Sequence, residues 1–261
     1  MGSFSNYLEN KILNHILKVS SFSVPANIYV ALSTTDPDDS GSGISEPADG
    51  AYARVLCNTW NTASARATKN TGAIQFAEAV NAWGNISHFA LFDAITGGNM
   101  LGHGSFATPR YVGGGQIYTV YAEEMIISFN SGGVSNYLAN ALLNHTFKVS
   151  SFSVPTNIYV AVSLAAITEA MSGNSLSEPG GNYVRVNHND WNTSVSGISD
   201  NDGAITFDQA TSEWGRVISA ALLSAATGGN LLIFADLSTA LNIVTGSTLK
   251  FTDGSFDVTL D

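Results

Sequence analysis

The sequence predicts a mainly β protein made of two tandem antiparallel β-sandwich-like domains, each opened by one N-terminal α-helix. Three observations predict this fold. The chain repeats itself, since the segment KVSSFSVP at residues 18–25 returns unchanged at residues 148–155. Short stretches of alternating apolar residues lie between glycine-rich turns, which is typical of antiparallel sheets. A helical pattern of apolar residues also stands near the start of each copy.

The repeat covers nearly the whole chain. The offset between the copies is 130 residues at the start and 131 residues from Tyr52 and Tyr183 onward. A period of this length is one whole domain rather than a solenoid unit, so it indicates a tandem duplication. We place the first domain at residues 1–130 and the second at residues 131–261. Each is a common size for a single domain and can bury roughly two-thirds of its unfolded surface.

The opening helix is predicted from apolar residues at a spacing of three and four. In the first copy they lie between residues 6 and 18, at Leu8, Ile12, Leu13, Ile16 and Leu17. We expect Asn6 to cap this helix, with Glu9 reaching back to it three residues later. The second copy keeps the stripe but has Ala139 in place of the glutamate.

After the helix, the apolar pattern changes to a period of two, beginning with residues 27–33. Further strands in the first half are predicted at 51–57, 73–77, 85–93, 99–106, 116–121 and 124–129. Their counterparts in the second half are predicted at 182–188, 204–208, 216–224, 230–237, 247–252 and 255–260. Turn sequences such as TGGN at 96–99 and 227–230 separate these strands.

Composition and charge argue against several classes of function. Charged residues make up 12% of the chain, about half the usual share, and the net charge is −11. No two basic residues are adjacent, so we expect no nucleic-acid binding. We expect no membrane association and no signal peptide, and therefore synthesis in the cytosol. The only cysteine, Cys57, cannot form an internal disulfide.

The residues of a site that both domains share must occur in both copies. Few polar residues that could act in catalysis or binding are repeated in this way. His15 and His145 coincide, and a pH-sensitive contact is one interpretation of them, the other being a partly packed polar residue. His88 is aligned with Ala220, and His103 with Phe234. The acidic loop at residues 36–41 is absent from the second copy. We therefore predict no catalytic residues, no metal site and no cofactor.

Aromatic residues are the only binding candidates that both copies carry. Trp60 and Trp191, or Trp83 and Trp214, could stack on sugar rings, although a role as core anchors is the favoured interpretation, because a buried tryptophan removes a large apolar area from water. Two arginines, Arg54 and Arg185, are also repeated. We expect each to pair with a nearby acid or with loop carbonyls rather than with a ligand.

The repeated segments resemble a known family, the small phage virion structural proteins usually called tail fibre proteins. The resemblance occurs once in each half of the chain, and in the first half it runs through Ser5–Leu8, Leu13–His15, Ile28–Thr34, Ser45–Pro47, Tyr52–Arg54, Trp83–Gly84 and Phe89–Asn99. It implies a structural role in the virion rather than a defined activity.

Two functions are therefore predicted from different classes. The first is a non-enzymatic virion protein, either decorating or cementing the capsid or belonging to the tail, neck or fibres. Its partners would be further copies of itself and other virion proteins, and three chains forming a trimer would present six similar domains. The alternative is a carbohydrate-binding module for host adsorption.

Overall fold

The computed structural model describes residues 2–129 and 133–260. Its regular structure is mainly strand, with antiparallel sheets in both halves and one helix near the start of each half. The predicted fold class is therefore confirmed. The expected domain boundary between Asn130 and Ser131 lies outside the described residues.

The first half contains β1 (Gly2–Phe4), α1 (Asn6–Ile16), β2 (Tyr29–Ser33), β3 (Val55–Leu56), β4 (Ala67–Lys69), β5 (Ile74–Glu78), β6 (Gly84–Phe92), β7 (Met100–Val112), β8 (Ile117–Val120) and β9 (Ile126–Ser128). The second half contains α2 (Asn136–Thr146), β10 (Tyr159–Ser163), β11 (Val186–Asn187), β12 (Ile198–Ser199), β13 (Ile205–Thr206), β14 (Gly215–Leu223), β15 (Leu231–Ile243), β16 (Lys250–Phe251) and β17 (Val258–Thr259).

Both helices begin at a serine cap. The Ser5 hydroxyl accepts a hydrogen bond from the Leu8 amide at 3.3 Å, and Ser135 does the same for Leu138 at 3.1 Å. The expectation that Asn6 caps α1 was therefore wrong, because Asn6 is already the first helical residue. Serine is as good a cap as asparagine, since either side chain satisfies an amide that the first turn leaves unpaired.

The two halves share one strand order at their centre. In the first half, β2, β6 and β7 lie within a seven-stranded sheet of order β3-β2-β6-β7-β1-β9-β4. In the second half, the equivalent strands form a four-stranded sheet of order β11-β10-β14-β15. Short two-stranded ladders accompany these sheets: β5 with β8, β12 with β17, and β13 with β16.

Several strand predictions differ from the structure. Three short strands, β1, β4 and β12, were not predicted, because a strand of two or three residues carries almost no periodic signal. The paired part of 51–57 is only β3, and β7 and β15 each extend to 13 residues. Irregularities in the pairing of β6 with β7 and of β14 with β15 accommodate these long strands.

The sheet register also corrects one alignment between the copies. His88 lies opposite Ser33, and the residue opposite Ser163 in the second half is Ser219. The counterpart of His88 is therefore Ser219 and not Ala220. Ala220 instead corresponds to Phe89, which lies opposite Leu32 in the first sheet.

The largest hydrophobic core is continuous from one half to the other. It contains the apolar stripe of α1 and that of α2, together with inward-facing residues of both central sheets. Each helix also packs on a strand of the opposite half, α1 on β12 and α2 on β4. Much of the apolar face of each helix is thus buried between the halves.

Candidate functional site

The shared polar side chains of the two helices meet at the contact between the halves. On α1, the Asn14 side-chain oxygen accepts from the Ser194 amide at 2.8 Å. The Asn10 side-chain oxygen accepts from the Ser194 hydroxyl at 2.7 Å and from the Gly197 amide at 2.9 Å. The helix of the first half is therefore fixed to a loop of the second half.

The reverse contact has the same pattern. On α2, the Asn144 side-chain oxygen accepts from the Ala63 amide at 2.7 Å, and that of Asn140 accepts from the Arg66 amide at 2.9 Å. Lys18 donates to the Thr156 carbonyl across this contact, and Lys148 donates back to that of Ala26. These reciprocal bonds relate the halves by an approximate two-fold axis, as in a symmetric dimer.

At one pair of equivalent contacts, the larger residue stands on the helix in one case and on the loop in the other. Glu9 on α1 faces Gly197, whose Cβ, if present, would lie 2.8 Å from the Glu9 carboxylate. In the equivalent contact, Ala139 stands on α2 and Arg66 occupies the loop position. Both loop residues have positive φ, 73° at Gly197 and 65° at Arg66. The second half meets the larger helix residue with glycine, which leaves room for the glutamate.

His15 and His145 stack on each other at this axis. Their ring centroids lie 5.2 Å apart and their planes differ by 4°. Each Nδ1 accepts a backbone amide, from Phe22 to His15 at 3.2 Å and from Phe152 to His145 at 3.1 Å. An accepting Nδ1 means that the neutral ring carries its proton on Nε2. Among the described residues, neither Nε2 has a hydrogen-bond partner.

The environment of this stack favours the neutral form of both rings. Burial lowers the pKa of His15, and the charge that His145 would carry lowers it further. Burial also lowers the pKa of His145. Both rings are packed, as the second interpretation of these histidines expected, and the pH sensitivity of their contact stays a prediction.

The two tryptophan candidates are buried, each with 6% of its surface exposed. The Trp60 ring lies 4.3 Å from that of Phe147 in the other half, and its indole N–H donates to the Cys57 carbonyl at 3.1 Å. The Trp191 ring packs near His188 and Phe256, with centroids 5.2 Å and 6.0 Å away. Their burial agrees with a role as core anchors, and sugar binding by these residues stays a prediction.

The repeated arginines join three segments of each half. Arg54 forms a two-pronged pair with Glu46, with one nitrogen–oxygen distance of 2.7 Å, and donates to the carbonyls of Ala94 and Gly97 at 3.1 Å and 2.7 Å. Tyr52 donates to the same glutamate at 2.9 Å. Burial and the glutamate charge raise the pKa of Tyr52, so its hydroxyl remains a donor.

The second half repeats this cluster. Arg185 pairs with Glu178 through two nitrogens, both at 2.8 Å, and donates to the carbonyls of Ala225 and Gly228 at 2.8 Å and 2.7 Å. The prediction that these arginines pair with an acid and with loop carbonyls is confirmed. Their donors are used within the protein, so the clusters hold turns in place.

The unmatched histidines of the first half contact the unmatched acidic loop. His103 Nε2 lies 2.9 Å from an Asp39 oxygen, and His88 Nε2 lies 3.3 Å from an Asp36 oxygen. Sequence reasoning missed this association. The available signal was that the loop and both histidines are all missing from the second copy. Within residues 2–129 and 133–260, no group of three or more His, Cys, Asp or Glu side chains is arranged to hold a metal ion.

These features define a class of protein, a duplicated β-rich module whose repeated polar side chains bind its own loops and its own other half. No helix in the described ranges has the length and apolar character needed to cross a membrane. A family model described as Podophage GP4 fiber I protein gp80 matches the chain twice, over residues 3–128 and 133–259. The chain therefore belongs to this phage fibre family, and the resemblance to tail fibre proteins with a tandem duplication is confirmed. A search of curated proteins found no match.

Proposed function

We propose that this protein is a non-enzymatic structural subunit of the phage tail fibres, held in the virion by protein–protein contacts. The match of both halves to a phage fibre family is the observation that carries the proposal. Fibre proteins are structural, and the family name favours the tail and fibre side of the two locations predicted from the sequence over decoration of the capsid.

The contacts within the chain support a structural role. The polar groups that both halves share, namely the helix asparagines and the Arg–Glu–Tyr clusters, are used in bonds inside the molecule. A continuous core joins the two repeats. Such a module is suited to bearing load and to presenting fixed surfaces to neighbouring subunits.

We expect the assembled form to be an oligomer, and a trimer remains the specific hypothesis. Three chains would supply six repeats at one site on the particle. The measurement is the mass of the purified chain by light scattering, alone and after assembly on particles. A monomer under both conditions would contradict this part of the proposal.

The test of function is quantitative mass spectrometry on heads and tails separated from purified phage. We expect the protein in the tail fraction, at a copy number typical of a fibre subunit. An abundance close to that of the major capsid protein in the head fraction would instead make it a capsid-decorating or cement protein. Absence from both fractions would overturn the structural proposal and return the carbohydrate-binding alternative to first place.

A further inference from the structure

A surface pocket of about 460 Å³ lies in the second half, between the loop that follows β10 and the turn at residues 227–230. Small-molecule sites in proteins have volumes of roughly 300–1,000 Å³, so the pocket has room for one small ligand. The lining residues used in the argument below are Asn174, Leu176, Glu178, Val184, Arg185 and Thr227.

The loop that forms one wall of this pocket is longer than its counterpart in the first half. The Thr34 amide donates to the Ser45 carbonyl, and the Leu164 amide donates to that of Ser177, so the two loops have equivalent ends. From 34 to 45 is 11 positions, and from 164 to 177 is 13, so the second loop has two additional residues. The pocket wall therefore includes length that the first half lacks.

The longer loop is fixed in place by its own backbone. The Gly173 amide donates to the Gly229 carbonyl at 3.0 Å, and Arg185 donates to the Gly173 carbonyl at 2.7 Å. A Cβ at position 173 would overlap the Gly228 carbonyl oxygen, so this close approach requires glycine. These contacts form the wall of the pocket before any ligand binds, which lowers the entropy cost of binding.

The charges within the pocket balance each other. Arg185 is the one cation and Glu178 the one acid among the described lining residues, and they pair through two nitrogens, both at 2.8 Å. The remaining bonds of Arg185 go to backbone carbonyls of the chain. A pocket without unpaired charge favours an uncharged ligand, and the net charge of −11 further disfavours an anion.

The polar groups of the pocket suit a ligand with several hydroxyls. The Glu178 carboxylate is 22% exposed and is an acceptor held in position by Arg185 and by the Tyr183 hydroxyl, which donates to it at 3.1 Å. Asn174 and Thr227 are exposed, and their amide and hydroxyl groups each donate and accept. Leu176 and Val184 add apolar surface beside these groups.

We propose that this pocket binds one uncharged sugar residue of a glycan. Sugar hydroxyls donate to Glu178 and exchange hydrogen bonds with Asn174 and Thr227, while the C–H face of the ring lies on Leu176 and Val184. This binding function is additional to the structural role proposed above, and failure of either proposal leaves the other standing. It assigns sugar binding to a surface pocket instead of the buried tryptophans.

The test is saturation-transfer difference NMR on the full chain, with titration of each sugar that gives a signal. The probes are the methyl glycosides of glucose, galactose, mannose and N-acetylglucosamine, with glucuronate as the charged comparison. Thr227→Ala removes a hydroxyl from the pocket, and Thr96→Ala makes the same change in the equivalent turn of the first half. Ala226→Ile places in the pocket the isoleucine that the first half has at position 95.

We expect at least one glycoside to bind the wild type with a dissociation constant in the millimolar range, and glucuronate to bind more weakly. Thr227→Ala should weaken binding about fivefold through the loss of a neutral hydrogen bond, Thr96→Ala should leave it unchanged, and Ala226→Ile should abolish it. Absence of binding by all four glycosides, equal effects of the two threonine variants, or full binding by Ala226→Ile would each overturn the proposal. If Ala226→Ile does not fold, the matched threonine pair decides the question.

Discussion

Acid should weaken the contact between the two halves through the His15–His145 stack. Both histidines have a lower pKa in the folded protein than in the unfolded chain. At the pH values where they titrate, the folded state therefore binds fewer protons than the unfolded state does. The stack's contribution is therefore complete above about pH 6.5, the ordinary pKa of histidine, and is lost as the pH falls from there through the folded-state pKa values. Within this window, stability rises with pH.

The structure gives the size of the effect. Two positive charges at the ring separation of 5.2 Å repel by about 3 kcal/mol at an effective dielectric constant of about 20. Two groups that titrate only in the unfolded chain give a slope of at most about 2.7 kcal/mol per pH unit. Loss of the two amide bonds to Nδ1 on protonation would act in the same direction.

The assay is urea unfolding between pH 8 and pH 5, with the free energy of unfolding plotted against pH. The matched variant is His15→Asn/His145→Asn, because the asparagine oxygen takes the place of Nδ1 as acceptor and does not titrate. We expect its slope between pH 6.5 and pH 5 to be clearly smaller than that of the wild type. The comparison cancels the contributions of the other titrating groups. Identical slopes in the two proteins would refute the reasoning.

Four further predictions concern stability and assembly of the chain. Arg185→Ala should cost about 3 kcal/mol in urea unfolding, because the side chain is 3% exposed and its loss leaves a glutamate and loop carbonyls without their donor; a cost under 1 kcal/mol would contradict the assigned role. Gly197→Ala should lower the free energy of unfolding by about 2 kcal/mol more than the control Gly203→Ala, since both positions have positive φ but only the Cβ at 197 would meet atoms within 4 Å. Equal losses would show that the Glu9 side chain moves aside without a cost in stability. Trp60→Ala should lower stability by about 3–5 kcal/mol, as for other buried aromatic residues; a stable variant that has lost glycan binding on an array would instead support the carbohydrate alternative. Cleavage of a protease site inserted at residues 130–132 should leave the halves together on a native sizing column at pH 7.5, because they share one core; separation at that pH would mean that the covalent link is needed.

The predictions from sequence succeeded where the same periodic pattern of apolar residues occurred in both halves of the chain. The stripe in α1 and the alternation in β2 are local signals, and their recurrence in α2 and β10 removed accidental matches. The arginine clusters were anticipated for the same reason. Each arginine was repeated together with Glu–Pro and Gly–Gly turns that could supply an acid and carbonyls.

The packing of each helix against the opposite half was not predictable in this way. Asn10 and Asn14 stand on the polar side of an amphipathic pattern, and asparagine on a helix ordinarily faces water. Nothing in a single repeat tells which loop such a side chain meets. The strand β1 was missed for a related reason, because its position depends on pairing with residues about 100 positions away at β7.

The two-fold relation between the repeats limits how the chain can be used. Two identical subunits paired in this way would have identical ends, and neither end could be reserved for the particle. Fusion into one chain removes that restriction, since each repeat is free to change alone. Here the acidic loop held by His88 and His103 belongs to the first half alone, and the second half has Asp236 and Asp257 where the first has Ser105 and Ile126. The two halves of the duplicated scaffold therefore carry different surface chemistry, so a neighbouring molecule can distinguish one from the other.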